Sequence, residues 1–408
     1  MDKCFGLLGE KLGHSFSPII HRYLGDYEYQ LYEISPREFD AFMTQRRFDG
    51  LNVTIPYKQA VIPYCATLSD EAREIGSVNT IIKDEDGMLH GHNTDYHGFC
   101  VMLEHGGIEP DGRKTLVLGD GGSARTIRAA LNGLGAKEIV TISRRGGNHY
   151  GNIDKHYDAD MIVNTTPVGM YPDNASSPLP LQGFGRLSGV ADLIYNPLRT
   201  KLQLDAGRIN VPCVNGLTML VAQAEKASRL FCGGPARPEL VDTILSELIR
   251  KTRNIALIGM PGCGKSTAGR ELATLMGRPF ADIDEMIEAS TGKSIPDIFA
   301  RDGEEAFRLL ETRILSDEAK KTGMVIATGG GVVTQQENLD LLRQNSLIVY
   351  LRRELPELVS AGRPLSESIG VKTLASQRLP LYETWSDHVI DTHSDPDRTA
   401  GRILEALA

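Results

Sequence analysis

Residues 254–276 read NIALIGMPGCGKSTAGRELATLM. An apolar, strand-like run, NIALIG, enters a glycine loop, and a helix-forming run, AGRELATLM, leaves it. The loop fits G-x-x-x-x-G-K-[ST] through Gly259, Gly264, Lys265 and Ser266. Each residue type has a physical reason. Glycines let backbone N–H groups converge on phosphate oxygens, and the following helix adds positive potential at its N-terminus. A lysine supplies a mobile point charge for the β- and γ-phosphates, and a hydroxyl can join a Mg²⁺ shell. This predicts a P-loop α/β domain in which Gly262, Cys263, Gly264, Lys265, Ser266 and Thr267 hold ATP, with Ser266 contributing to Mg²⁺. No N-K-x-D and no L-S-G-G-Q occurs, which counts against a GTPase and against a transporter ATPase.

More than half of the 408 residues precede this loop, so two or three domains are expected. Short β-branched runs alternate with helical stretches, the mark of α/β architecture. Candidate strands are residues 51–55, 115–119, 138–142, 161–165, 189–194, 254–259, 324–328 and 347–351. The helical stretch ELVDTILSELIRKT (239–252) runs almost directly into NIALIG, which puts a domain boundary near residue 252. A net charge of −9 counts against a general nucleic-acid binder. No apolar run is long enough for a membrane span, and the N-terminus lacks a secretion signal. The six cysteines show no CxxC spacing and no Cys/His cluster, so a cytoplasmic protein with reduced thiols and no structural zinc is expected. Oligomeric state stays open.

Behind the P-loop follow FADIDEMIE (280–288), GEEAFRLLE (303–311), ATGGGVV (327–333), GRPLS (362–366) and QRLPLYE (377–383). In this order the set resembles shikimate kinase over residues 253–408. The resemblance implies that Asp282 helps hold Mg²⁺ through water and that Asp284 orients the attacking hydroxyl. It implies that Arg308 and Arg378 clamp a substrate carboxylate, a task suited to a planar donor fork. Gly330 and Gly331 would let the substrate ring approach the backbone, and Arg363 would close over the nucleotide on a lid. The stretch from Arg363 to Arg378 is a few residues shorter than the family pattern.

Upstream, TLVLGDGGSARTIRAAL (115–131) reads strand, loop, helix, with Gly119, Gly121 and Ala124 as G-x-G-x-x-A beside Gly122 and Ser123. The next strand, EIVTI, ends in Ser143, Arg144 and Arg145. Basic residues there favour a ribose 2′-phosphate, hence NADP(H) over NAD. Asp120 stands where a small neutral residue is usual; beside a pyrophosphate its carboxylate would be repulsive unless it points away.

Around that loop lie LGHSFSPIIH (12–21), GLNVTIPYK (50–58), GSVNTII (76–82), GHNTDYHGF (91–99), NTTPVGM (164–170), DLIYNP (192–197) and NGLTMLVAQA (215–224). Together they resemble shikimate dehydrogenase over residues 1–240. The resemblance implies a substrate domain at residues 1–100 completed by 215–250, a Rossmann-like NADP domain at 101–214, and then the kinase α/β/α domain with a parallel sheet at 253–408. Lys58 and Asp95 would be catalytic. Ser15 and Ser17 would donate to the substrate carboxylate, and Thr54, Asn79, Asn93 and Gln223 would meet ring hydroxyls, with Tyr195 lining the cleft.

Several of these residues have plainer readings. Asp284 and Asp95 could each cap a helix. A lone lysine or arginine is usually solvated. His14, His21, His92 and His97 read as structural or incidental, and Cys65 and Cys100 as packing residues. The whole predicts consecutive reactions in one chain on small-molecule substrates: NADPH reduction of 3-dehydroshikimate, then phosphorylation of shikimate by MgATP. One active half fused to a degenerate one, a quinate-specific dehydrogenase, and an NADP-sensing scaffold remain rival readings.

Overall fold

A computed structural model describes residues 3–13, 15–358, 370–393 and 395–407. It contains three sheets. The first joins β1 (Cys4–Gly9), β2 (Glu28–Glu33), β3 (Gly50–Val53), β4 (Thr67–Leu68), β5 (Thr80–Lys83) and β6 (Leu89–His92) in the order β2-β1-β3-β5-β6-β4. β5 runs antiparallel to both of its neighbours, and the register sets Asn52 opposite Thr80. The second sheet is parallel throughout: β7 (Lys114–Leu118), β8 (Glu138–Ile142), β9 (Met161–Asn164), β10 (Gly189–Asp192) and β11 (Cys213–Asn215), ordered β11-β10-β9-β7-β8. The third, also parallel, holds β12 (Asn254–Ile258), β13 (Phe280–Asp282), β14 (Val325–Ala327), β15 (Ser346–Arg352) and β16 (His388–Asp391), ordered β13-β14-β12-β15-β16.

The parallel sheets are buried on both faces, which explains their nearly unbroken apolar strands. Along β12, Ile255 and Leu257 pack with Leu272, Val349 and Ile403. Ala256 and Ile258 turn to the other face, among Phe307, Ile326 and Trp385. The same alternation divides Leu116 and Leu118 from Val117 in β7. In each parallel sheet the chain leaves the first strand to one side and later returns to the other. That reversal opens a crevice at the strands' carboxyl ends, where glycine loops follow β7 and β12.

Contacts divide the chain into two compact units, residues 1–196 with 200–248, and residues 249–408 with 197–199. The first unit holds the first two sheets and the second holds the third. Among the described residues no helix is long and apolar enough to cross a membrane.

Candidate active sites

In the first unit, residues of β1, β3 and the helices Ser17–Leu24, Thr94–His105 and Gly216–Cys232 wall a cavity of about 540 Å³. Lys58 and Asp95 meet there: Nζ donates to Asp95 Oδ2 at 2.6 Å. Asp95 is not the helix cap. Asn93 is, its Oδ1 accepting from Tyr96 N at 3.2 Å, which leaves Asp95 in the first turn with its carboxylate turned to Lys58. Asn93 is thereby corrected as a cavity residue. Its Nδ2 donates to Ser77 O at 3.0 Å, it is buried, and it does not line the cavity.

The other expected residues do line it. Ser15 Oγ donates to Ser17 Oγ at 3.1 Å, so the two hydroxyls sit side by side. Asn79 Oδ1 accepts from Thr94 N at 2.7 Å, and this fixes its amide beside the Lys58–Asp95 pair. Gln223 reaches in from the Gly216–Cys232 helix, and its Oε1 is buried without a hydrogen-bond partner. Thr54 and Tyr195 complete the wall, and burial pushes the Tyr195 phenol up in pKa, which keeps it a hydrogen donor. Among the further residues that line it are Asn52 and His21. The sequence assigns His21 no more than a structural part. Asn52 lies inside the quoted LNVTI run, where strand alternation alone gives it no chemistry.

At the end of β7, Gly119 has φ +104°, and a Cβ there would lie 2.8 Å from Thr165 Oγ1. Gly121 is the N-cap of the twelve-residue helix Gly122–Gly133 and supplies no side-chain cap. Nothing lies within 4 Å of a Cβ built on Gly121 or Gly122, so the helix N-terminus is open to an anion. Ser123 is exposed there, whereas Ala124 is buried and packs the helix on the sheet. Just beyond β8, Arg144 and Arg145 are exposed, while the Ser143 hydroxyl donates to Arg145 O. Asp120 points away along the helix to Arg128, whose Nη1 lies 3.0 Å from Asp120 Oδ1. The open helix end and the two arginines fit a dinucleotide carrying an additional phosphate.

In the second unit a cavity of about 620 Å³ is lined by Gly262, Gly264, Lys265, Ser266 and Thr267 on one side and by Asp284, Arg308, Gly330, Gly331 and Arg378 on the other. Lys265 Nζ donates to Gly259 O at 2.8 Å and Met260 O at 3.1 Å. The Cys263 thiol is buried in the core, its N–H donates to Met260 O at 3.2 Å, and it is not in the lining. Asp282 caps the Ile283–Thr291 helix, its Oδ1 accepting from Asp284 N at 3.0 Å and Glu285 N at 3.3 Å, and it does not line the cavity. Asp284, in the first turn, is left to face inward with Oδ1 buried and unpartnered. Burial first, and Glu311 second, push the Asp284 carboxyl up to about 6.

The helix Ile295–Ala319 breaks at Gly303, and its second limb carries Arg308 and Glu311 one turn apart. Arg308 Nη1 donates to the fully buried Glu311 at 2.7 Å. Glu311 closes the GEEAFRLLE motif, where the resemblance gives it no role; its i,i+3 spacing to Arg308 is the signal that could have found it. Arg378 Nη1 donates to Gly330 O at 3.2 Å, and its Nε is buried without a partner. Arg363 and its GRPLS motif lie outside the described residues. Among the described residues no cluster of three or more His, Cys, Asp or Glu is placed to hold a metal.

The fold and the two cavities define a Rossmann-type oxidoreductase joined to a P-loop phosphotransferase. Residues 7–81 match the family model for the shikimate dehydrogenase substrate binding domain, and residues 261–408 match that for shikimate kinase. The shikimate dehydrogenase (NADP(+)) of Clostridium perfringens strain SM101 is 36% identical over 268 residues, covering 60% of this chain and 98% of that protein. A chorismate mutase/shikimate 5-dehydrogenase fusion protein from Clostridium acetobutylicum superposes with a TM-score of 0.57 at 35% identity, covering 61% of this chain and 97% of that one. The Thermus thermophilus shikimate 5-dehydrogenase, solved in complex with NADP(H) and shikimate, gives 0.55 at 31% identity, covering 60% and 99%. The chain therefore belongs to the shikimate dehydrogenase family through its N-terminal 60%, and it carries a shikimate kinase domain at its C-terminus. Both enzyme activities reside in the one polypeptide.

Proposed function

We propose that the chain reduces 3-dehydroshikimate to shikimate with NADPH and then transfers the γ-phosphoryl group of ATP to the 3-hydroxyl of shikimate. The observation that carries this reading is the Lys58–Asp95 contact of 2.6 Å inside a cavity whose other walls present hydroxyls and amides. NADPH supplies the hydride that reaches C3 of the ketone. Lys58 polarises the carbonyl and donates a proton to the developing alkoxide, and Asp95 holds its ammonium in place. Ser15 and Ser17 take the carboxylate. Asn79, Thr54, Gln223 and Tyr195 meet the ring. The Gly119–Ala124 turn takes the pyrophosphate, and Ser143, Arg144 and Arg145 border the 2′-phosphate.

In the kinase, Arg308 and Arg378 clamp the substrate carboxylate, and Gly330 and Gly331 keep the floor low beneath the ring. Asp284 accepts the hydrogen bond of the 3-hydroxyl and aims its oxygen at the γ-phosphorus. A new O–P bond forms as the bond to ADP breaks, with Lys265 stabilising the transferring charge. Mg²⁺ would be held mainly by nucleotide phosphates and the Ser266 hydroxyl, with Asp282 reaching it through water, and would neutralise phosphate charge. We divide the chain accordingly into residues 1–100 with 215–250, residues 101–214, and residues 253–408.

Two separate assays test the reading, NADPH oxidation with 3-dehydroshikimate and ADP release with shikimate. Lys58→Ala is expected to lower the first by about 10²-fold or more and leave the second unchanged; Lys265→Ala is expected to do the reverse. A folded variant in which either change silences both activities contradicts two independent sites.

A further inference from the structure

His21 stands one turn after Ser17 on the Ser17–Leu24 helix and is 1% exposed. It lines the dehydrogenase cavity, yet the proposed reaction assigns it nothing. Its ring stacks on Tyr29 with centroids 3.8 Å apart and planes 10° apart, so its orientation is fixed. Nδ1 lies 2.7 Å from the Tyr27 hydroxyl, and Nε2 is buried with no hydrogen-bond partner. Burial pushes the imidazole down to about 3, opposed only in part by the Asn52 side chain, so the ring is neutral at physiological pH.

A neutral imidazole carries one proton, and with the Tyr27 hydroxyl donating to Nδ1 that proton would sit on Nε2. Asn52, whose Oδ1 accepts from the Tyr29 hydroxyl at 2.7 Å, and Ser17, one turn before His21 on the same helix, line the same cavity. Ser17 Oγ accepts from Ser15 Oγ. When both serines donate to a carboxylate, Ser17 loses that incoming proton and its oxygen needs another donor.

We propose that His21 is a positioning residue of the dehydrogenase site: its Nε2–H stands behind Ser17 and Asn52 and holds the Ser17 hydroxyl in the orientation that donates to the substrate carboxylate. This rests on the reading of the first cavity as the 3-dehydroshikimate site. A buried donor left unsatisfied is destabilising, so a partner gained only on binding appears as substrate affinity.

The test uses the full chain. His21→Phe keeps ring area and stacking but removes the nitrogen; His21→Gln keeps a neutral N–H. The expected result for His21→Phe is a KM for 3-dehydroshikimate raised about tenfold or more, with kcat, the KM for NADPH and the kinase activity little changed. His21→Gln is expected to recover most of the loss. A wild-type KM for 3-dehydroshikimate in His21→Phe, or an equal rise in the KM for NADPH, overturns the proposal. Imidazole ¹⁵N NMR of the wild-type chain gives a check that needs no variant: a proton on Nε2 supports it and a proton on Nδ1 contradicts it. A wild-type chain that does not reduce 3-dehydroshikimate overturns the functional reading itself, an outcome distinct from a His21 effect that fails to appear in an active enzyme.

Discussion

A Cβ on Gly331 would lie 2.1 Å from Arg308 Nη2 and 2.2 Å from Nη1. The guanidinium rests on bare backbone, pinned there by Glu311 at 2.7 Å. Gly331→Ala must push Arg308 away from the position proposed to meet the substrate carboxylate. The expected outcome is a kinase KM for shikimate raised about tenfold or more, with dehydrogenase kinetics unchanged. Steady-state assays of both activities on one preparation check it. At this scale the sequence was most ambiguous about carboxylates and amides beside helix starts. In N-T-D and in D-I-D two polar residues stand two apart, and either could cap. The structure gives the cap to Asn93 and Asp282 and leaves Asp95 and Asp284 facing the cavities. Capping preferences scarcely separate Asn from Asp, so only the entry angle of each helix decides. Asn52 was hidden for another reason: it lies inside a strand-like run, and its partner 28 residues away is a tertiary fact, whereas Glu311 had a local signal in its i,i+3 spacing to Arg308.

Asp192 shows how elements are tied together in the NADP-binding sheet. It ends β10 and accepts from Asn164 of β9 at 3.0 Å, from Ile194 N at 3.1 Å and from the Thr200 hydroxyl at 2.7 Å. Thr200 caps the helix Lys201–Arg208, so one carboxyl links two strands to the next helix. Burial outweighs these donors and pushes Asp192 up to about 6. A carboxyl raised in the folded state binds more protons than in the unfolded chain between about pH 4 and pH 6, so its contribution to stability falls as pH rises through that window. Chemical unfolding of the wild type and of Asp192→Asn across that range is expected to give a stability difference that shifts toward the wild type as pH falls, by up to about 1.4 kcal/mol per pH unit. A difference independent of pH contradicts the raised carboxyl. All eight strands expected from sequence are present as β3, β7, β8, β9, β10, β12, β14 and β15, within a few residues of their expected ends. These are mostly buried on both faces and so carry unbroken apolar runs. Among the described residues eight strands escaped notice: β1 (CFGLLG) is a buried apolar run, β5, β6 and β11 have three or four residues each, and the other four have weaker patterns. β2 (EYQLYE) is largely exposed at a sheet edge, β4 has two residues, β13 has three, and β16 (HVID) is another edge strand.

At the scale of the whole molecule the chain reads as two enzymes in series. The division into units falls at residues 248 and 249, at the end of the helix Pro238–Thr252 that the sequence placed beside its boundary. Each unit has its own core and its own polar cavity. Both cavities offer groups suited to one carboxylated ring, hydroxyls in the first and guanidinium groups in the second. That pairing was legible because glycine loops, lysines and arginines keep their order along a chain whatever the packing. The central claim is that the product of the first site is the substrate of the second. The most direct measurement supplies the purified full-length chain with 3-dehydroshikimate, NADPH and MgATP and follows NADPH, ADP and the ring acid together. The account predicts shikimate 3-phosphate, with one NADPH oxidised and one ADP released for each molecule formed. NADPH oxidation that stops at unphosphorylated shikimate, or no NADPH oxidation at all, would contradict it.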